Sequence, residues 1–169
     1  FEKAKLEGKV KHIGFTGHQN PFAHKRMLNK TVDNDIFETV QMPINVIDSH
    51  FHSFINHVLP IAMERNYGIL AMKTLSDGRF FKIKKQRDNI PWETEDPLIP
   101  NHISIKEALN FVWSLPVSVL ITGAENKELI LEKIELAREF SNYNESDRMK
   151  LIDKVYSKAG NAVEYYKKV

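Results

Sequence analysis

Short apolar runs alternate along this chain with stretches in which apolar residues recur every three or four positions. The first pattern marks buried strands and the second marks amphipathic helices. The alternation occurs four times. The first run, residues 10–15, is rich in Val, Ile and Phe and follows the breaker Gly8; a turn over 17–21 then leads to a short helix predicted over 21–28. The second run, 39–43, is followed after Asp48 by a helix predicted through Arg65, with Pro60 expected to kink or restart it. The third, 69–72, is introduced by Asn66-Tyr67-Gly68, a good helix stop, and its helix is predicted over 104–113. The fourth, 117–121, follows Leu115-Pro116. Its helix is predicted over 126–139, where Leu129, Ile130, Lys133, Ile134 and Ala137 fall at helical spacing. Between the third strand and its helix lies a polar insertion, residues 74–103, with Pro91, Pro97 and Pro100 and no periodicity. Connections of that length inside a domain are commonly functional or disordered. A charged helix predicted over 145–156 and a polar tail ending Glu164-Tyr165-Tyr166-Lys167-Lys168 complete the pattern.

Alternating strand and helix predicts a parallel sheet with helices on its faces. Two α/β architectures compete, an open doubly wound sheet and part of a (β/α)8 TIM barrel. All four strands end in Gly or polar residues: Thr16-Gly17-His18, Asn45, Lys73-Thr74 and Thr122-Gly123-Ala124-Glu125-Asn126. Both architectures gather ligand-facing groups at such strand ends. A whole barrel needs about 250 residues, so four units in 169 residues amount to half of one. The chain starts without Met, inside what reads as a helix over 1–7, and is expected to be a piece of something longer.

Composition narrows the function classes. Hydrophobic residues make up 42% and charged residues 27%, an ordinary globular mixture. The 24 basic and 22 acidic residues are interspersed and leave a net charge of +2. Without a basic stripe or a known motif, no nucleic-acid partner is expected. The chain has no Cys, which excludes disulfides, Cys-ligated zinc and iron–sulfur clusters within it and agrees with a cytoplasmic location. No run has the length of a membrane span and no signal peptide precedes Phe1, so no membrane partner is expected. His50 and His52 form a His-x-His pair, but a third histidine or extra acids at ligand spacing are missing. They read as helix-start histidines, and no metal site is expected.

Four segments resemble one family. Gly8-Lys9-Val10-Lys11-His12-Ile13-Gly14-Phe15-Thr16 resembles the fifth strand of aldo-keto reductases, and Val40-Gln41-Met42-Pro43-Ile44-Asn45 their sixth. The seventh is matched by Gly68-Ile69-Leu70-Ala71-Met72-Lys73-Thr74-Leu75, and the eighth by Leu115-Pro116-Val117-Ser118-Val119-Leu120-Ile121-Thr122-Gly123-Ala124. The order and spacing match as well. The resemblance implies the last four βα units of a barrel, plus a C-terminal helix, from an NAD(P)H-dependent carbonyl reductase acting on a small aldehyde or ketone.

Carried over position by position, it implies that Thr16 and Gln41 hold the nicotinamide carboxamide and that Met72 lies against the ring. A flat amide needs a donor and an acceptor in fixed places, which a hydroxyl and a Gln amide supply. Lys73, Thr74, Leu75, Ser76, Asp77, Gly78 and Arg79 match the loop that clasps the pyrophosphate through backbone N–H groups and a basic side chain. Gly123, Ala124, Glu125 and Asn126, with Leu129 and Lys133 in the following helix, match the adenosine site, where a helix N-terminus favours an anion. Asn126 also reads as an N-cap, and Asp77-Gly78 is a turn dipeptide wherever it occurs. His18 follows the first strand and could touch cofactor or stabilise its turn. Phe80 and Phe81 read as a lid or an anchor for the loop.

The cofactor implied is NADP, with NAD as the alternative. Gly17 stands where many members have Asn, Met72 where most have an aromatic ring, and Gly123 and Leu129 where NADP-preferring members are basic. Lys133 replaces a frequent Asn. The family's catalytic Asp, Tyr, Lys and His belong to the first four strands, so this chain is expected to be inactive alone. The five tyrosines, Tyr67, Tyr143, Tyr156, Tyr165 and Tyr166, are all expected in turns or helices, away from strand ends. The partner expected is the missing N-terminal barrel half, or a second copy closing over the open sheet. The alternative reading is a non-catalytic nicotinamide-nucleotide-binding or regulatory module.

Overall fold

A computed structural model describes residues 1–31, 36–82 and 92–168. Helices α1 (Glu2–Leu6) and α2 (Pro21–Lys30) flank strand β1 (Gly14–Thr16); β2 (Thr39–Pro43) leads through α3 (Phe54–His57) and α4 (Leu59–Glu64) to β3 (Gly68–Met72). Then follow α5 (Leu98–Asn101), α6 (Ile105–Trp113), β4 (Val119–Leu120), α7 (Lys127–Arg138) and α8 (Glu145–Lys154). The four strands form one parallel sheet in the order β1-β2-β3-β4. Sequential parallel neighbours joined by helices are what the alternating pattern predicts.

The register sorts the two faces. Phe15, Val40 and Ile69 lie in one row, and Met42, Ala71 and Leu120 in another. Val40, Met42, Ile69 and Ala71 are buried and join a core with Leu28, Phe54, Val58, Ala62, Phe111 and Val112 from the helices. The opposite face carries Thr16, Gln41, Leu70 and Val119 in one row, with Pro43 and Met72 beyond it. Of these only Pro43 is buried. One face is covered by helices and the other is open.

The edge strands are shorter than the sequence predicts. The first apolar run, 10–15, pairs only from Gly14, because β2 begins at Thr39 and gives residues 10–13 no ladder partner in register. Ile13 is nonetheless buried, and its carbonyl accepts from Glu38 N. Gly14 is required by contact, since a Cβ there would fall 2.0 Å from Thr39 Oγ1. At the other edge, ladder hydrogen bonds from Ser118 N to the Ile69 carbonyl and from Ile121 N to the Ala71 carbonyl bracket β4.

The helix predicted through Arg65 is broken. A 3₁₀ turn at Asp48–His50 gives way to α3, and Pro60 at the start of α4 divides α3 from α4 at Val58. Proline lacks an N–H and its ring clashes with a carbonyl one turn back, so a helix restarts there. Local caps set the remaining starts. Asn20 caps α2, with Pro21 in its first turn; Ser104 and Glu107 form a capping box on α6; Asn126 accepts from Leu129 N at the head of α7.

Two regions depart from their sequence reading. The apolar stripe of α7 is not buried: Ile130 is 50% and Leu131 49% exposed. β4 is an edge strand in this sheet, so the helix beyond it has little to cover. The polar tail, by contrast, is packed into the fold. Val163, Glu164, Tyr166 and Lys167 are all buried. In the insertion, residues 83–91, including Arg87 and Pro91, lie outside the described residues.

Candidate functional site

The C-terminal ends of the strands bring the expected nicotinamide residues together. Thr16 and Gln41 are register partners on the open face, and Gln41 Nε2 lies 3.4 Å from Met72 Sδ. Alternation along parallel strands places the three on one side, and the open face leaves Thr16 exposed and the other two partly so. His24, buried behind β1, sets its imidazole against the Gln41 carbonyl at 3.4 Å and against Gly17, where a Cβ would meet its ring at 2.7 Å. Burial lowers the His24 pKa from its ordinary value. Gly17 is therefore a position of close approach, which accounts for a glycine there. A cavity of ≈ 340 Å³ opens at this end, lined by Thr16, Gly17, His18, Asn20, His24 and Met27 among others.

The loop after β3 is bound up in its own fold. Lys73, Ser76 and Asp77 have positive φ of 56°, 49° and 57°, followed by Gly78 at 85°. Side chains with a Cβ rarely adopt this region, at a cost of about 1–2 kcal/mol each. Ser76 N bonds to the Lys73 carbonyl, Gly78 N to Leu75 and Arg79 N to Ser76. Of the N–H groups around Ser76, Asp77 and Gly78 that are expected to meet phosphate, those of Ser76 and Gly78 thus have partners within the loop. Thr74 is buried and donates to the Ile121 carbonyl at 3.2 Å, tying the loop to the end of β4; Leu75 is half-buried at the edge of the core. Lys73 Nζ is 3.3 Å from Asp77 and 5.6 Å from the Tyr166 ring centre. Phe80 is fully buried, an anchor rather than a lid, and Phe81 packs partly buried beside it.

The C-terminal segment, residues 160–168, supplies residues that sequence reasoning missed. Lys167 Nζ sits 2.7 Å from Asp48 and 2.8 Å from Glu164, and all three side chains are fully buried. Asn45 Nδ2 reaches Tyr166 Oη at 3.0 Å, Glu164 at 3.3 Å and the Lys73 carbonyl at 3.3 Å. Burial, with Asp48 adding to it against the pull of Lys167, pushes the Glu164 carboxyl up to about 7. Burial also raises the Tyr166 phenol well above its ordinary value, reinforced by Glu164 and Asp48.

Tyr165 and Tyr166 lie in turns and at no strand C-terminus, as expected, but the fold brings them near two strand ends. The segment carries Tyr165 and Tyr166 back to the ends of β2 and β3, although Tyr166 is enclosed and its phenol harder to ionise than usual. The apolar pair Val163 and Tyr166 within an otherwise polar stretch was the signal available. His18 stacks edge-on to Tyr166 at 6.1 Å, and burial, then Lys73 and Lys168, lowers its pKa.

Beyond β4, Gly123, Ala124, Glu125 and Asn126 are all exposed. Lys133 Nζ donates to the Gly123 carbonyl, and burial lowers its pKa. Leu129 is half-buried on the same turn. A Cβ on Gly123 would meet nothing, so a larger residue would fit there. Elsewhere, His50 Nε2 donates to the Ile152 carbonyl at 3.0 Å. Among the described residues no group of three or more His, Cys, Asp or Glu gathers as for a metal ion, and no helix is long and apolar enough to cross a membrane.

No protein-family model and no curated protein sequence matches the chain. Solved structures do. Over 91% of its length the chain is similar to the aldo-keto reductase AKR11C1 from Bacillus halodurans, with TM-scores of 0.64 for the holo form and 0.66 for the apo form at 13% identity. The fold is that of the aldo-keto reductases. Over 99% of its length the chain is also similar to aldose reductase from Giardia lamblia, with a TM-score of 0.59 at 16% identity. It spans about half of each of these structures, 53%, 54% and 49% of their chains. The four-stranded parallel sheet with one open face corresponds to about half of a barrel of that fold.

Proposed function

We propose that this chain is the C-terminal, cofactor-holding half of an NAD(P)H-dependent carbonyl reductase of the aldo-keto reductase type. The observation that carries the reading is the row on the open face, where Thr16 and Gln41 are register partners and Gln41 meets Met72. A hydroxyl and an amide fixed on adjacent strands fit the donor and acceptor needs of a carboxamide. The Met72 thioether is soft enough to lie against a planar ring. Lys73 and the exposed turn 123–126 at the head of α7 would take the phosphates and adenosine, with Asn126 and Lys133 beside them. NADP is the cofactor proposed, with NAD the alternative because neither Gly123 nor Leu129 is basic.

When bound, the nicotinamide supplies a hydride to a small carbonyl substrate. This chain's part is to orient it: Thr16 and Gln41 fix the plane of the amide, and Met72 covers one face. The proton donor and its supporting residues are assigned to a preceding half-barrel, whose strands would pair with β1 and β4 and cover the open face. A cytoplasmic location follows the same reading. The test is fluorescence titration of NADPH and NADH on the full-length protein, with Gln41→Ala and Lys73→Ala variants, together with an aldehyde-reduction assay. Weaker binding by both variants, with turnover by the whole barrel and none by the isolated chain, is the expected result. Unchanged dissociation constants for both variants, or robust turnover by the isolated chain, would overturn it.

A further inference from the structure

The loop after β3 is unfavourable in isolation, with three non-glycine residues in left-handed backbone within five positions. Such a turn persists only where its surroundings over-determine it. The C-terminal segment supplies those surroundings. Ser76 Oγ donates to the Val163 carbonyl at 2.7 Å, and Arg79 Nη1 to the Ala162 carbonyl at 2.5 Å. Tyr165 Oη bonds to Asp77 at 2.5 Å, while its ring lies 4.0 Å from the Arg79 guanidinium carbon, with Trp92 at 4.9 Å. The segment is itself pinned by the buried Lys167, Asp48 and Glu164 cluster and by Asn45, and Lys168 N bonds to the Gln19 carbonyl.

We propose that the C-terminal segment is a positioning brace for this loop, and that Tyr165, through Asp77 and Arg79, holds the turn in the shape nucleotide binding uses. The inference rests on the cofactor reading above and adds a residue to it. The opposite role, a strap that competes with the phosphates, is disfavoured by what release would entail. Val163 and Tyr166 would be bared to water and the buried Asp48 parted from Lys167. The turn at 123–126 is meanwhile exposed, so a nucleotide can reach that side with the segment in place.

The experiment uses the full-length protein and NADPH. Tyr165→Phe removes the bond to Asp77 and keeps the ring over Arg79. It should weaken NADPH binding roughly five- to tenfold, less than the full worth of one hydrogen bond to a charged group because the bond acts on the ligand through the turn. Amide exchange over residues 73–79 should accelerate without nucleotide, while the melting temperature stays within about two degrees. In an Asp77→Ala background, where the bond to Tyr165 is already gone, Tyr165→Phe should add little further loss. Tighter binding by Tyr165→Phe would make the segment a competitor and overturn the brace. Unchanged affinity would overturn it too, with the cofactor reading intact. A wild-type protein that binds neither NADPH nor NADH removes both.

Discussion

The loops after β3 and β4 were both assigned to the nucleotide by resemblance, and they are built in opposite ways. The first is enclosed: Thr74, Ser76 and Arg79 are buried, and a distant part of the chain lies over it. The second stands free, with residues 123–126 exposed and the α7 behind them showing an uncovered apolar stripe. The difference teaches that the two contribute to a site in different currencies. The loop after β3 contributes a fixed shape, with Thr74, Ser76 and Arg79 turned inward and Lys73 left partly exposed. The turn after β4 contributes accessible groups, the head of a helix and space at Gly123.

The comparison breaks most visibly at Lys167. Removing one partner of a fully buried ion pair typically costs about 3–5 kcal/mol, and Lys167→Met leaves Asp48 and Glu164 side by side without their cation. Urea unfolding should show a loss of that size. A loss below about 1 kcal/mol would mean the segment is loosely held and the loop is not enclosed in solution.

Next comes pH. The Glu164 carboxyl is raised from 4.5 to about 7 in the folded chain, so the folded state binds more protons than the unfolded state between those values. The contribution of Glu164 to stability should therefore fall as pH rises from about 4.5 to 7, by up to about 3 kcal/mol at 1.36 kcal/mol per pKa unit. His18 and His24, whose pKa is lowered, contribute the opposite slope. Glu164→Gln should remove the first of these slopes. A difference in stability between wild type and Glu164→Gln that does not change across this window counts against a buried, proton-holding Glu164.

On the free side the effects shrink. Asn126→Ala loses the bond to Leu129 N and should cost about 1 kcal/mol; thermal unfolding checks the size, and nucleotide titration checks whether the helix head also serves the ligand. Ile134→Ser should change the stability of the isolated chain by less than about 0.5 kcal/mol, because Ile134 is exposed. In the complete barrel the same substitution should cost more if the preceding half covers α7, and comparing the two melting curves measures that cover directly.

The sequence by itself determined the local pieces. Four apolar runs, their order, the restart at Pro60 and the cap at Asn126 could be read because each depends on neighbours within one or two turns. Thr16, Gln41 and Met72 were singled out by the family resemblance, and the register puts them on one face of the sheet. The sequence did not show that residues 10–13 would find no ladder partner, that the stripe on α7 would stay uncovered, or that a polar tail would become the lid of a buried charge cluster. Those outcomes turn on groups far apart in the chain: Lys167 meets Asp48 across 119 positions, and Tyr165 meets Asp77 across 88. A buried charge is tolerable only where a partner sits beside it. No local pattern says which partner that will be, so only the tertiary structure could decide it.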